Sequence, residues 1–182
     1  IGPLIPAEVN CANLRLGQES YQNLLGVRPR LAYLNEQAVS AGLLDIYIDE
    51  GFEAVVVEWD NPFSHNPEWQ RELLMRPQSL TSASGRHIKV IWNHAIAFQK
   101  FQRYAHGELT LEDYLQYLRK VLKPGTVAFP VYGSDAEVFD FRPGRYHTEA
   151  EPISGEWQRI TKLFMTLNDL EGYQWSSPSK LL

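Results

Sequence analysis

A single cysteine, Cys11, stands in 182 residues. That excludes an intramolecular disulfide and any Cys-x-x-Cys metal or redox site. Cys11 has no His or other base near it in sequence, so a thiol nucleophile is not expected. No apolar run approaches the ~20 residues that cross a bilayer, so no membrane association is expected. Positive charge is not in excess: Lys and Arg total 17 against 22 Asp and Glu, a net charge of −5. A nucleic-acid partner, which needs a basic face, is therefore not expected. The five histidines (65, 87, 94, 106 and 147) are not spaced as paired helix ligands. No metal and no cofactor are expected. Internal repeats and low-complexity tracts are also missing. What is present is 44% apolar and 12% aromatic residues, enough for a packed core in about one domain's length of chain.

The chain opens Ile1-Gly2-Pro3 without a Met or a basic-then-apolar leader, and it closes on Lys180-Leu181-Leu182. It is read as a piece of a longer protein, and a cytoplasmic location is expected from the missing leader and lone cysteine.

Strand and helix signals alternate. Leu31–Leu34 is a short apolar run. Residues 38–50 carry Val39, Leu43, Ile46 and Tyr47 at helical spacing, with Gly51 placed as a C-cap. Ala54–Val57 is an unbroken apolar run that suits a strand buried on both faces. A short helix is expected around Pro67–Met75, a polar loop over 77–86, a strand over Ile88–Trp92 and a helix over 95–106. Thr110 and Asp113 form a capping box for a helix over 111–122, whose stripe is Leu111, Tyr114, Leu115, Leu118 and Leu122. Thr126–Tyr132 is expected as a strand, interrupted by the missing donor of Pro130. A last helix covers 155–169. Met75, Met165 and Trp157 are expected in the core, Trp157 against the sheet. This order implies α/β architecture with a parallel sheet, open or closed into a barrel.

In parallel sheets, chemistry gathers where strands end. The ends read Asn35-Glu36-Gln37, then Glu58-Trp59-Asp60-Asn61, then Asn93-His94, then Gly133-Ser134-Asp135-Ala136-Glu137. Trp59, Trp92 and Tyr132 stand beside them. Carboxylates with flat aromatic faces suit a neutral, hydroxyl-rich ligand such as a sugar, and paired carboxylates are the machinery of glycoside hydrolysis. The plainer alternatives stay open here. Glu58 and Asp60 can be ordinary loop or capping carboxylates, Trp92 can be core, and Glu137 can pair with Arg142 or Arg145.

Two segments carry a resemblance. Arg30-Leu-Ala-Tyr-Leu-Asn-Glu36-Gln-Ala-Val-Ser-Ala-Gly-Leu-Leu44, leading to Gly51-Phe52, resembles the nucleophile motif of glycoside hydrolase family 57. Tyr132-Gly-Ser-Asp135-Ala-Glu137-Val-Phe139 resembles that family's acid/base motif. Order and separation of the two also fit. The chain departs from the pattern at Tyr33, where Trp is commoner, and at Asp140–Arg145, where Gly and aromatics are usual. The family's His-Gln-Pro motif is absent and would lie upstream of Ile1.

The resemblance implies Glu36 as nucleophile and Asp135 as general acid/base of a retaining enzyme on α-linked glucans. The activity would be of α-amylase, 4-α-glucanotransferase or branching type. Tyr33, Glu58, Trp59, Trp92, His94, Tyr132 and Glu137 would meet the carbohydrate. The implied fold is a parallel-stranded, distorted (β/α)7 barrel, of which residues 1–182 form about half to two-thirds as one partial catalytic domain. Two other classes stand beside this reading. One is a polysaccharide deacetylase-like metal hydrolase, which needs an Asp and a His-x3-His pair that are not here. The other is a non-catalytic carbohydrate-binding barrel. The oligomeric state is not legible.

Overall fold

In the computed structural model, the valine run becomes the centre of a sheet. The structure describes residues 2–133 and 154–182. They divide into two units: residues 2–93 with 177–182, and residues 94–133 with 154–176.

The first unit holds α1 (Ala7–Leu25), β1 (Leu31–Tyr33), α2 (Ala41–Asp49), β2 (Ala54–Glu58), α3 (Asp60–His65), β3 (Gln78–Thr81) and β4 (His87–Asn93). The strands lie in the order β1-β2-β4-β3. β2 is parallel to both β1 and β4, and β3 runs antiparallel to β4. Side chains alternate across the sheet. Ala32, Leu34, Val55, Val57, Ile88, Val90 and Trp92 are buried in one cluster with Leu44 of α2. Each fully buried Val or Ile there contributes roughly 1.5–3 kcal/mol. Leu31, Tyr33, Val56, Glu58, Ile91 and Asn93 have the opposite parity and share the second face.

α1 was not legible in the sequence. Its residues are mostly exposed, Gly17 weakens its helical signal, and it docks by Leu14 against the core cluster and by polar contacts: the Gln18 amide donates to the Glu50 carbonyl at 2.8 Å, and Arg15 pairs with Glu50 at 2.7 Å. The helix stops at Gly26, whose φ of 70° is the left-handed C-cap conformation that glycine adopts without strain. The loop expected over 77–86 is corrected to a hairpin. Gln78 to Thr81 pair with Val90 to His87, so an edge strand hides in a polar segment because half its side chains face solvent. Asp45 of α2 clamps the turn, accepting from the Ser84 hydroxyl at 2.5 Å and from Arg86 at 2.9 Å. These donors, Ser84 first, hold the Asp45 carboxyl well below the usual carboxylate range.

The second unit packs α4 (Ala95–Ala105), α5 (Leu111–Val121) and α6 (Glu156–Asn168) around Phe101, Tyr104, Tyr114, Leu118, Ile160 and Leu163. The capping box forms: the Asp113 amide donates to Thr110 Oγ1 at 3.1 Å, and the Thr110 amide to the Asp113 carboxylate at 3.2 Å. Arg159 of α6 donates to the Ala105 carbonyl at 2.6 Å, closing α6 on the end of α4. Three expectations are corrected. Residues 126–132 form no strand; Pro130 has no N–H for a ladder, and Phe129, Val131 and Tyr132 pack on the helical cluster instead. Trp157 and Met165 are exposed on α6, because its buried stripe runs Ile160, Leu163, Leu167 on another side. No helix among the described residues is long and apolar enough to cross a membrane.

Candidate active site

β1, β2 and β4 run the same way, so their C-terminal ends share one edge. Tyr33 is level with Val56, and Glu58 is level with Asn93. By parity Tyr33, Glu58 and Asn93 share the face opposite the helix-covered core. Asn35-Glu36-Gln37 continues from β1 just past that edge.

The backbone there is unusual. Glu36 has φ 53° and ψ 19°, and Gln37 has φ 54°. Two consecutive side-chain-bearing residues in the left-handed region cost about 1–3 kcal/mol each, and such strain persists only where the surroundings impose it. The surroundings are visible: the Gln37 amide donates to the Leu34 carbonyl at 3.1 Å, and the Glu58 amide donates to Gln37 Oε1 at 2.8 Å. The turn carrying Glu36 is thereby fixed to the end of β2, and the Glu36 side chain is exposed. Because Glu36 makes no buried contact, Glu36→Gly is expected to be more stable than Glu36→Ala by about 1 kcal/mol. Thermal unfolding of the two variants checks this; equal midpoints would mean that the turn is not strained.

Glu58 does what the plain reading allowed. Its carboxylate accepts from the amides of Asp60 at 2.5 Å and Asn61 at 2.9 Å, capping the first turn of α3. Burial pushes its pKa up and the neighbouring Asp60 carboxyl adds to the rise, while the two amides oppose it. The position is still on the Tyr33–Asn93 face, half-buried at the strand end.

Trp59 and Trp92 are both buried. Trp59 is 1% exposed and stacks on Phe63 at 4.9 Å, with Trp69 at 5.6 Å and Trp92 edge-on at 5.2 Å. Their faces are filled by one another, so they floor the strand ends from the helix side. Strand parity carried that signal, since Trp92 falls in phase with Ile88 and Val90. In the second unit, His94 is buried where α4 begins, its ring edge-on to Phe129 at 6.4 Å. Tyr132 is half-buried, with its ring against Phe101 at 4.8 Å. Asp135 and Glu137 lie outside the described residues, as does the 5–5.5 Å carboxyl separation that a retaining pair needs. Gln37 is the residue that the strand-end reading passes over, while that reading takes Asn93, with Trp92 and His94, as able to contact sugar. Asn93 Nδ2 donates to the Tyr33 phenol oxygen at 2.8 Å. Among the described residues no His, Cys, Asp and Glu cluster could hold a metal.

The sequence matches the family model of glycosyl hydrolase family 57 over residues 1–180. The chain belongs to glycosyl hydrolase family 57. Against curated protein sequences there is no match. Among solved structures it is similar to a 4-alpha-glucanotransferase from Thermococcus litoralis, with TM-score 0.70, 21% identity, and coverage of 97% of this chain and 26% of that one. It is also similar to the alpha-amylase AmyC from Thermotoga maritima, with TM-score 0.58, 13% identity, and coverage of 96% and 44%. The chain thus spans less than half the length of either. The likeness is one of fold: the parallel-dominated sheet corresponds to part of the family 57 (β/α)7 barrel, and it is not closed among the described residues.

Proposed function

We propose that residues 1–182 are part of the catalytic domain of a retaining glycoside hydrolase or transglycosylase of family 57 that acts on α-linked glucans. The observation that carries the reading is Glu36: the motif glutamate sits in a strained turn at the C-terminal edge of parallel strands. Strain held by neighbouring hydrogen bonds is characteristic of functional positions.

The proposed chemistry has two displacements. A Glu36 carboxylate oxygen attacks the anomeric carbon as the glycosidic C–O bond breaks, and Asp135 gives its proton to the departing oxygen. A water or sugar hydroxyl then attacks the same carbon, Asp135 takes its proton, and the Glu36 ester is released. Tyr33 and Glu58 are the proposed carbohydrate contacts on β1 and β2; His94, Tyr132 and Glu137 are proposed to join them. No step calls for a cofactor.

Two inversions give net retention. With the full-length protein and maltopentaose, proton NMR in the first minutes is expected to show new reducing ends as the α anomer, ahead of mutarotation. New β anomer would exclude the double displacement. Absence of any chain-length change would favour a carbohydrate-binding barrel without chemistry.

A further inference from the structure

We infer that Asn93 is a positioning residue whose task is to hold the Tyr33 ring as a platform for the sugar bound beside Glu36. This rests on the α-glucan reading above and adds a residue to it.

Tyr33 ends β1 and Asn93 ends β4, with β2 between them. Neighbouring strands are about 4.8 Å apart, so a bond between the two must cross about 10 Å, over the end of β2. It does: Asn93 Nδ2 donates to the Tyr33 hydroxyl at 2.8 Å. The two ends of this tether differ in exposure. Asn93 is 6% exposed, whereas Tyr33 is 42% exposed. Asn93 is itself fixed, since its carbonyl accepts the Trp59 amide at 2.8 Å and its backbone pairs with β2 at Glu58. A rigid, buried donor therefore pins the tip of a half-exposed ring, three residues before Glu36 and on the same face as Glu58. A flat aromatic held in place covers the C–H side of a sugar at low entropic cost. The phenol is needed for this, because an indole offers only a donor and could not accept from the Asn93 amide.

The test is a double-mutant cycle in the full-length protein, assayed on malto-oligosaccharides. Tyr33→Phe and Asn93→Leu are each expected to raise KM about 10-fold with kcat nearly unchanged, and the double variant to be no worse than either. If Asn93→Leu does not fold, Asn93→Ser, too short to reach the phenol, takes its place. Multiplicative losses, or a loss in kcat with KM unchanged at Asn93, would overturn the inference and leave Asn93 a structural link between strands. Should the wild-type protein turn over no glucan, the functional reading fails, and the same cycle is run on maltoheptaose affinity by calorimetry. Coupled losses there uphold the tether; additive losses, or no binding, overturn it.

Discussion

Glu36→Gln in the full-length protein is expected to lose turnover of every substrate, by about 10⁴-fold or more, with KM little informative because no glycosyl-enzyme forms. The amide keeps the size of the side chain and removes the charge proposed to attack the anomeric carbon. Residue 36 stays in its left-handed turn, since the Gln37 side chain still accepts from the Glu58 amide. Folding and carbohydrate affinity are therefore expected to survive, and only chemistry to disappear. A variant that kept a tenth of wild-type activity would remove Glu36 from the nucleophile role.

Asp135→Ala is expected to behave differently. On natural glucan the loss is about 10²–10⁴-fold, because a sugar hydroxyl is a poor leaving group without a proton donor. An activated aryl α-glucoside departs unaided, so its first displacement survives and the intermediate accumulates for want of a base. Added azide needs no base; it is expected to restore turnover and to yield an α-glycosyl azide. The same rescue at Glu36→Gln, or intact glucan activity at Asp135→Ala, would show that the two roles are wrongly assigned.

The parts of the fold that were legible are those where burial and pattern agree. The valine run of β2 is buried at Ala54, Val55 and Val57 and half-buried at Val56, and the Thr110–Asp113 box with its leucine stripe makes α5 self-announcing. Elements held by polar contacts were not legible. α1 docks through Gln18 and Arg15 beside an apolar contact of Leu14, and β3 is an edge strand whose outward residues are serine and threonine. Glu36 is singled out by its motif alone, while its left-handed backbone, fixed by a side chain one residue on, leaves no trace in composition. The burial of Trp59 and Trp92 is carried by strand parity and not by their place beside strand ends. Tyr33, one strand over and in the other phase, is the aromatic that keeps an exposed face.

Glu36 is proposed to form a covalent bond to a sugar, and mechanism-based trapping detects that bond. The full-length protein is incubated with 5-fluoro-α-glucosyl fluoride, whose ring fluorine slows both displacements and whose excellent leaving group restores the first. It is then digested with pepsin at low pH and mapped by mass spectrometry. One fluoroglucosyl adduct is expected, on the peptide containing Tyr33-Leu34-Asn35-Glu36, lost in Glu36→Gln. An adduct on another carboxylate such as Glu58, or steady turnover of glucan with no adduct and inverted product, would contradict that role for Glu36.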